Sequence, residues 1–319
     1  MSEVEAIGVD LGGTKMLLGV LDGDSKTVWE SREGSAGEGE DELVELLVRE
    51  VEQARAERPG VQAIGMGIPA TIDHDKGVAL AAVNLPIADL PIRNLVLERT
   101  GLPAFVDNDA NVAALAEHQF GAARGTRNAI MLTIGTGIGG GLILGGEIYR
   151  GSTGAGAELG HVVIQMDGPA CQGNCPNHGC VEALASGTAL GREGLAAAES
   201  NPESALGRLH GEGEPIDGKA VTLAAQKGDE VAVAVFELIG TRLGVALASF
   251  ANIFEPEVIV IGGGVIAAGE LLLDPARREL EARALRPMNR TPVVPAELGA
   301  DAGMIGAAAL ARTELEKAS

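Results

Sequence analysis

The stretch Gly8-Val9-Asp10-Leu11-Gly12-Gly13-Thr14-Lys15 decides how the rest of the chain is read. It closes the apolar run Val4–Asp10, which reads as a buried strand, and opens a second run, Lys15–Leu21. Leu11–Thr14 is then a hairpin tip. The tip is chemically loaded. Asp10 puts a carboxylate at a strand end, Gly12 and Gly13 let backbone N–H groups approach an anion, and Thr14 and Lys15 add a hydroxyl and a cation. Such a tip suits phosphate, with Asp10 placed to hold Mg²⁺ through water.

Working outward, Lys26–Arg32 reads as a third strand and Asp41–Arg58 as a helix. Leu43, Leu46, Leu47, Val51 and Ala54 form its stripe, and Pro59-Gly60 stops it. Glu33–Glu40 is of low complexity and reads as a surface loop. Ala63–Ile68 and Pro103–Val106 are short apolar strands, and Asp109–Phe120 is a helix capped from Asp107-Asn108-Asp109. The opening device then repeats: Asn128–Ile134 is a strand, Gly135–Gly141 a glycine turn and Leu142–Leu144 the returning strand. Helical patterns run from Ser186 to Phe254, including the apolar stretch Val231–Ala251. Val258–Ile261 is a buried strand entering Gly262-Gly263-Gly264, and Gly303–Lys317 is an Ala-rich closing helix. The pattern predicts an α/β chain with two related halves facing each other across a cleft.

With 319 residues, 46% of them hydrophobic, the chain can bury the cores of two domains. Only 2% are aromatic, so those cores are aliphatic. A net charge of -21 repels nucleic-acid phosphates and anionic membrane surfaces, and neither is an expected partner. The first apolar run is too short for a secretory h-region, and no stretch reads as a run of ~18 apolar residues able to span a bilayer, so a cytoplasmic protein is expected. The three cysteines cluster at Cys171, Cys175 and Cys180, which reads as metal ligation rather than a disulfide framework.

Two glycine runs imitate the dinucleotide fingerprint. Gly135-Thr136-Gly137-Ile138-Gly139-Gly140 fits G-x-G-x-x-G, but a strand follows where the fingerprint demands a helix. Gly262-Gly263-Gly264-Val265-Ile266-Ala267 comes too late for the strands a Rossmann unit needs, and reads better as a turn against adenosine. No G-x-x-x-x-G-K-[ST] is present, which excludes a P-loop enzyme.

Asp107-Asn108-Asp109-Ala110-Asn111 places polar groups where a strand meets a helix. One of them caps, and Asp109 is the expected base, taking a proton from a substrate hydroxyl as it attacks phosphorus. Cys171, Cys175 and Cys180 with His161 make a Cys₃His set suited to tetrahedral, structural Zn²⁺, and His178 is the alternative fourth ligand. Glu158 and Glu182 flank that set and suit hydrogen bonds to vicinal sugar hydroxyls.

Taken in order, these segments resemble the ROK family (repressors, open reading frames and kinases) over nearly the whole chain. Gly8–Lys15 is similar to its first phosphate loop, Asn108-Asp109-Ala110-Asn111 to its catalytic segment, and Glu158-Leu159-Gly160-His161 with Gly179-Cys180-Val181-Glu182 to its zinc and sugar signature. Ala185-Ser186-Gly187 also fits. One departure is plain: Gly173 stands where the family has the first cysteine of Cys-x-Cys-Gly, and Cys171 lies two residues earlier.

The resemblance implies the actin-like (ribonuclease H-like) sugar kinase fold, with two α/β domains closing over ATP and a hexose. The smaller domain would comprise 1–109 and 303–319, and the larger 110–302 with the zinc loop. It implies sugar contacts from Asn84, Asn108, Asp109, Glu158, His161 and Glu182. Phosphate contacts are implied from the Gly12–Thr14 loop and from Thr136 and Gly137, with Gly262, Gly263 and Gly264 beside adenosine. Mg²⁺, structural Zn²⁺ on His161 and the three cysteines, and a homodimer or homotetramer complete the expectation. The implied activity is transfer to the 6-hydroxyl of glucose. Fructose, mannose or an N-acetylated hexosamine are alternative acceptors, and polyphosphate is an alternative donor. Two readings from other classes compete. A sugar-responsive regulator needs a DNA-reading domain ahead of Asp10, and an NAD-dependent oxidoreductase leaves Asp109 and the cysteine loop unexplained.

Overall fold

The computed structural model describes residues 4–13, 15–24, 26–34, 39–82 and 85–318. Two expected ligand-contacting residues, Thr14 and Asn84, lie outside them.

β1 (Glu5–Leu11) and β2 (Lys15–Leu21) form the expected hairpin, with Asp10 opposite Leu17 and Leu11 opposite Met16. Ile7, Val9 and Leu11 join one apolar cluster while Ala6 joins another. A strand covered on both faces needs no polar alternation, which is why its sequence is an unbroken apolar run. β3 (Thr27–Gly34) pairs with β2, and α1 (Glu40–Glu57) follows with Glu40, Asp41 and Glu42 in its first turn, where the helix dipole favours anions. Strand and helix thus take up both ends of the expected Glu33–Glu40 loop.

β4 (Val61–Ile68) runs parallel to β1. Three short strands, β5 (Ala70–Asp73), β6 (Val78–Ala82) and β7 (Ala88–Leu90), form a small antiparallel sheet before α2 (Ile92–Thr100). These strands and α2 are missed by sequence periodicity: runs of three to five residues, rich in alanine, are too short to show a period. β8 (Ala104–Asn108) pairs in parallel with β4 and leads directly into α3 (Asp109–Phe120). The main sheet has the order β3-β2-β1-β4-β8. Its register sets Asp10 beside Gly67 and Gly67 beside Asp107, at the C-terminal ends of three parallel strands. Open α/β sheets bind ligands at that edge.

β9 (Ala129–Ile134) and β10 (Ile138–Leu144) enclose a turn shorter than expected, because Gly139, Gly140 and Gly141 belong to the strand. β10 pairs with β11 (Glu147–Ile148). Five helices follow: α4 (Val181–Ala185), α5 (Gly187–Ser200), α6 (Ala205–Gly211), α7 (Gly218–Gln226) and α8 (Glu230–Phe254). β12 (Val258–Gly262) lies parallel to β9, α9 (Glu270–Arg283) follows, and β13 (Val293–Pro295) lies parallel to β12. α8 corrects one reading, that no stretch is long and apolar enough to span a bilayer: by length and composition it is. In the fold its apolar face, including Phe236, Leu243 and Phe250, is fully buried, and it packs on α9, α5, α4 and α7.

α10 (Ala302–Ala318) returns to β1 and β4. A Cβ on Gly65 would lie 1.7 Å from the Ala307 carbonyl, and one on Gly8 2.0 Å from that of Met304, so only glycine admits this helix so close to the strands. Two compact units result. The first is Met1–Gly125, Gly141–Ala157 and Glu297–Ser319; the second is Thr126–Gly140 and Glu158–Ala296.

Candidate functional site

In the first unit, three polar residues in a row at the end of β8 have three different surroundings. Asp107 is buried. Its Oδ1 accepts the N–H of Asn108 and the Nδ2 of Asn111, both at 2.8 Å, and its Oδ2 accepts Arg150 Nε at 2.6 Å. Asn108 is the N-cap of α3: its Oδ1 accepts from Ala110 N at 2.9 Å and Asn111 N at 3.4 Å, and its Nδ2 donates to the Ala70 carbonyl at 3.3 Å. Asp109 follows as the first helical residue. Its carboxylate accepts the Ala110 N–H at 2.9 Å and forms no ion pair among the described residues. Burial raises its pKa above the usual carboxylate range, opposed by the backbone N–H groups and the Asn108 side chain.

Asp10 lies close enough to Asp109 for the two charges to interact. Burial, and then that like charge, raise the Asp10 pKa to about 6. A Cβ on Gly303 would sit 2.5 Å from the Asp10 carboxylate, so the first turn of α10 lies directly against it. The phosphate-type tip itself is closed by Gly12 N–H donating to the Lys15 carbonyl at 2.8 Å, and Lys15 is exposed.

In the second unit the turn Gly135–Gly137 is fastened at several points. Gly135 N–H donates to the Gly137 carbonyl at 2.9 Å, and Gly187 N–H donates to the Gly135 carbonyl at 2.8 Å. The Thr136 carbonyl accepts Thr188 Oγ1 at 2.9 Å. Ile138 N–H, just beyond the turn, donates to Glu182 Oε2 at 2.8 Å; a Cβ on Gly137 would stand 2.3 Å from that oxygen and would push the carboxylate off this bond. Gly135 and Thr136 border a cavity of about 980 Å³, roughly the size of a small-molecule site. α5, α7 with the residues just before it, and the segment after β12 supply its other walls, with Leu195 and Ile216 among the apolar groups and Arg192 and Lys219 the cations. Of the three late glycines, Gly264 lines this cavity, Gly262 ends β12, and Gly263 takes φ 85° against the backbone of Ile134.

The cysteine loop gathers one nitrogen and three sulfurs. The ligand atoms of His161, Cys171, Cys175 and Cys180 all lie within 4.8 Å of one another. Cys171 Sγ is 3.4 Å from His161 Nδ1, and Cys175 Sγ is 3.9 Å from Cys180 Sγ. A tetrahedron with Zn–S bonds of about 2.3 Å has edges of about 3.8 Å, so the set fits that ion. Burial raises the pKa values of Cys171 and Cys180, the Cys180 and Cys175 sulfurs adding to it for Cys171, and a cation would reverse that penalty. His178 is turned elsewhere, its Nδ1 3.3 Å from the Gly168 carbonyl. His161 Nε2 faces Glu158 Oε2 at 4.0 Å, beyond hydrogen-bond distance. Glu182 Oε1 lies 3.7 Å from Cys171 Sγ, so this one side chain touches both the cysteine loop and the start of β10.

Sequence reading missed three groups of residues. Arg150 is a single arginine with no motif around it. Gln172 lies inside the cysteine loop but is not a ligand. The cavity walls of α5 and α7 carried one usable signal, the cap-plus-glycine pairs Ser186-Gly187 and Asp217-Gly218 that open both helices.

Residues 6–314 match the model of the ROK family. The glucokinase of Streptomyces coelicolor is 38% identical over 312 residues, covering 96% of this chain and 97% of that protein. The glucokinase of Thermotoga maritima is 35% identical over 318 residues, covering 99% of each. Among solved structures, a ROK family glucokinase from Streptomyces griseus in complex with glucose and AMPPNP superposes with a TM-score of 0.84 at 38% identity, covering 97% of this chain and 99% of that one. The expected actin-like sugar kinase fold is therefore the fold observed, and a likeness spanning almost the full length of each relative leads to one conclusion: the chain belongs to the ROK family.

Proposed function

We propose that this chain is an ATP-dependent glucokinase in which Asp109 is the base. The sugar's 6-hydroxyl oxygen attacks the γ-phosphorus of ATP, the bond from that phosphorus to the bridging oxygen breaks, ADP leaves, and the hydroxyl proton passes to Asp109. The observation that carries this assignment is the division of labour at the end of β8. Asn108 caps the helix and Asp107 is committed to Arg150 and Asn111, so of these three Asp109 keeps a carboxylate with no charged partner among the described residues. Its raised pKa moves it toward the range in which a carboxylate accepts a proton effectively.

The remaining roles belong to the same proposal. Asn84, Asn108, Glu158, His161 and Glu182 contact the sugar. Gly12, Gly13, Thr14 and Lys15, with Thr136 and Gly137, hold phosphates, and the cavity walled by α5 and α7 takes the adenosine, with Gly264 at its edge. Asp10 holds Mg²⁺ through water; its buried carboxylate beside a second acid suits a cation, and the ion neutralises charge on the phosphates. His161, Cys171, Cys175 and Cys180 hold Zn²⁺, which folds the loop leading into α4 and Glu182.

Coupled ADP release with Mg·ATP across a panel of glucose, fructose, mannose and N-acetylated hexosamines tests the reading. Turnover is expected with glucose foremost, and Asp109→Asn is expected to lower kcat about 10³-fold while still binding AMPPNP and glucose. Folded, metal-loaded protein with no turnover on any hexose would sink it.

A further inference from the structure

Gln172 stands between two cysteines of the metal cluster, yet its side chain leaves the loop. Its Nε2 donates to the Thr136 carbonyl at 3.3 Å and to Ser186 Oγ at 3.1 Å. Thr136 lies at the turn that borders the 980 Å³ cavity, and its carbonyl already accepts the Thr188 hydroxyl at 2.9 Å.

A trans peptide is planar, with its C=O and N–H pointing in opposite directions. Holding the Thr136 carbonyl from two sides therefore fixes the direction of the Gly137 N–H. The Gly135 carbonyl, held by Gly187 N–H, fixes the Thr136 N–H in the same way. Glycine at 137 would otherwise let that peptide rotate at small steric cost. Glu182, two residues past Cys180, holds the next N–H along, that of Ile138. The cysteine loop thus grips the turn before and after its last ligand.

We infer that Gln172 is a positioning residue for the nucleotide: from the metal loop it fixes the Thr136–Gly137 peptide so that its N–H meets a phosphate oxygen of a nucleoside triphosphate. This rests on the reading of the cavity as the nucleotide site. It couples the integrity of the metal loop to nucleotide affinity, and such coupling is reciprocal.

The test is calorimetric titration of Mg·AMPPNP, and separately of glucose, into wild type, Gln172→Ala, Gln172→Glu and Thr188→Val, with zinc content measured for each. Gln172→Ala is expected to weaken AMPPNP about five- to tenfold, as loss of two hydrogen bonds warrants, with zinc content unchanged and glucose affinity within about twofold. Gln172→Glu should lose at least as much, because a carboxylate cannot donate to a carbonyl and brings negative charge. Wild type that binds AMPPNP alongside Gln172 variants that bind it equally well would overturn the inference. So would a weakening confined to Thr188→Val, or an equal loss of glucose affinity in Gln172→Ala. Wild type that fails to bind AMPPNP would instead overturn the nucleotide reading beneath it.

Discussion

Arg150 Nε donates to Asp107 Oδ2 at 2.6 Å, joining a residue two places past β11 to the strand end that leads into Asp109. Both side chains are largely buried, at 17% and 3% exposure. Removing one partner strands the other's charge out of water. Arg150→Leu is expected to cost about 3 kcal/mol in urea unfolding, and the double variant with Asp107→Asn to recover part of it. Equal stability of wild type and Arg150→Leu would show the pair to be decorative.

Asp10 titrates against folding. Its native pKa of about 6 lies above the ordinary 3.8 of an aspartate, so the native state binds this proton more tightly than the unfolded chain does. Between about pH 4 and pH 6 its contribution falls as pH rises, and above that window it is constant. Asp10→Asn removes the effect. The variant is expected to be more stable than wild type by about 3 kcal/mol at pH 7, the gap closing toward pH 4. Parallel pH–stability curves for the two proteins would count against it.

Ala157 has φ 64°, a left-handed conformation in which a Cβ is strained, directly before Glu158. Replacing it with glycine relieves the strain and adds some freedom to the unfolded chain. Ala157→Gly is expected to gain about 0.5–1 kcal/mol of stability, read as a rise in Tm. A fall in Tm would mean the alanine methyl packs more favourably than its backbone is strained.

Metal analysis is expected to find about one zinc per chain at pH 7. Cys175→Ser and His161→Ala should lose most of it and His178→Ala should keep it, in line with the four atoms gathered within 4.8 Å. Retention of zinc by His161→Ala together with its loss from His178→Ala would transfer the fourth position.

Much of this was legible in the sequence because local chemistry signals local geometry. Asp10 to Lys15 announced a tip, Asp107 to Asn111 a strand–helix junction, and the clustered cysteines a metal loop. What stayed hidden depends on distant partners. Nothing near Arg150 in sequence points to Asp107, forty-three residues earlier. Nothing near Gln172 points to Thr136. The small sheet β5–β7 escaped for a different reason: strands of three to five residues carry too few positions to display a period. The length of the glycine turn was misjudged because glycine signals turn and close packing alike. Gly141 lies in β10 and is glycine for packing: a Cβ there would meet the Ala110 carbonyl at 2.7 Å.

The seating of α10 on Gly8 and Gly65 has a consequence in time. The ribosome makes Asp10 nearly three hundred residues before Gly303, which lies against it. At about 5–20 residues per second, the first unit's strands wait on the order of tens of seconds for the helix that covers them. The second unit, whose residues all precede Glu297, is complete sooner. During synthesis the apolar floor beneath α10, including Ala6, Leu21 and Ala63, is therefore open to whatever binds exposed strands, and the first-made half of the enzyme is the last to close.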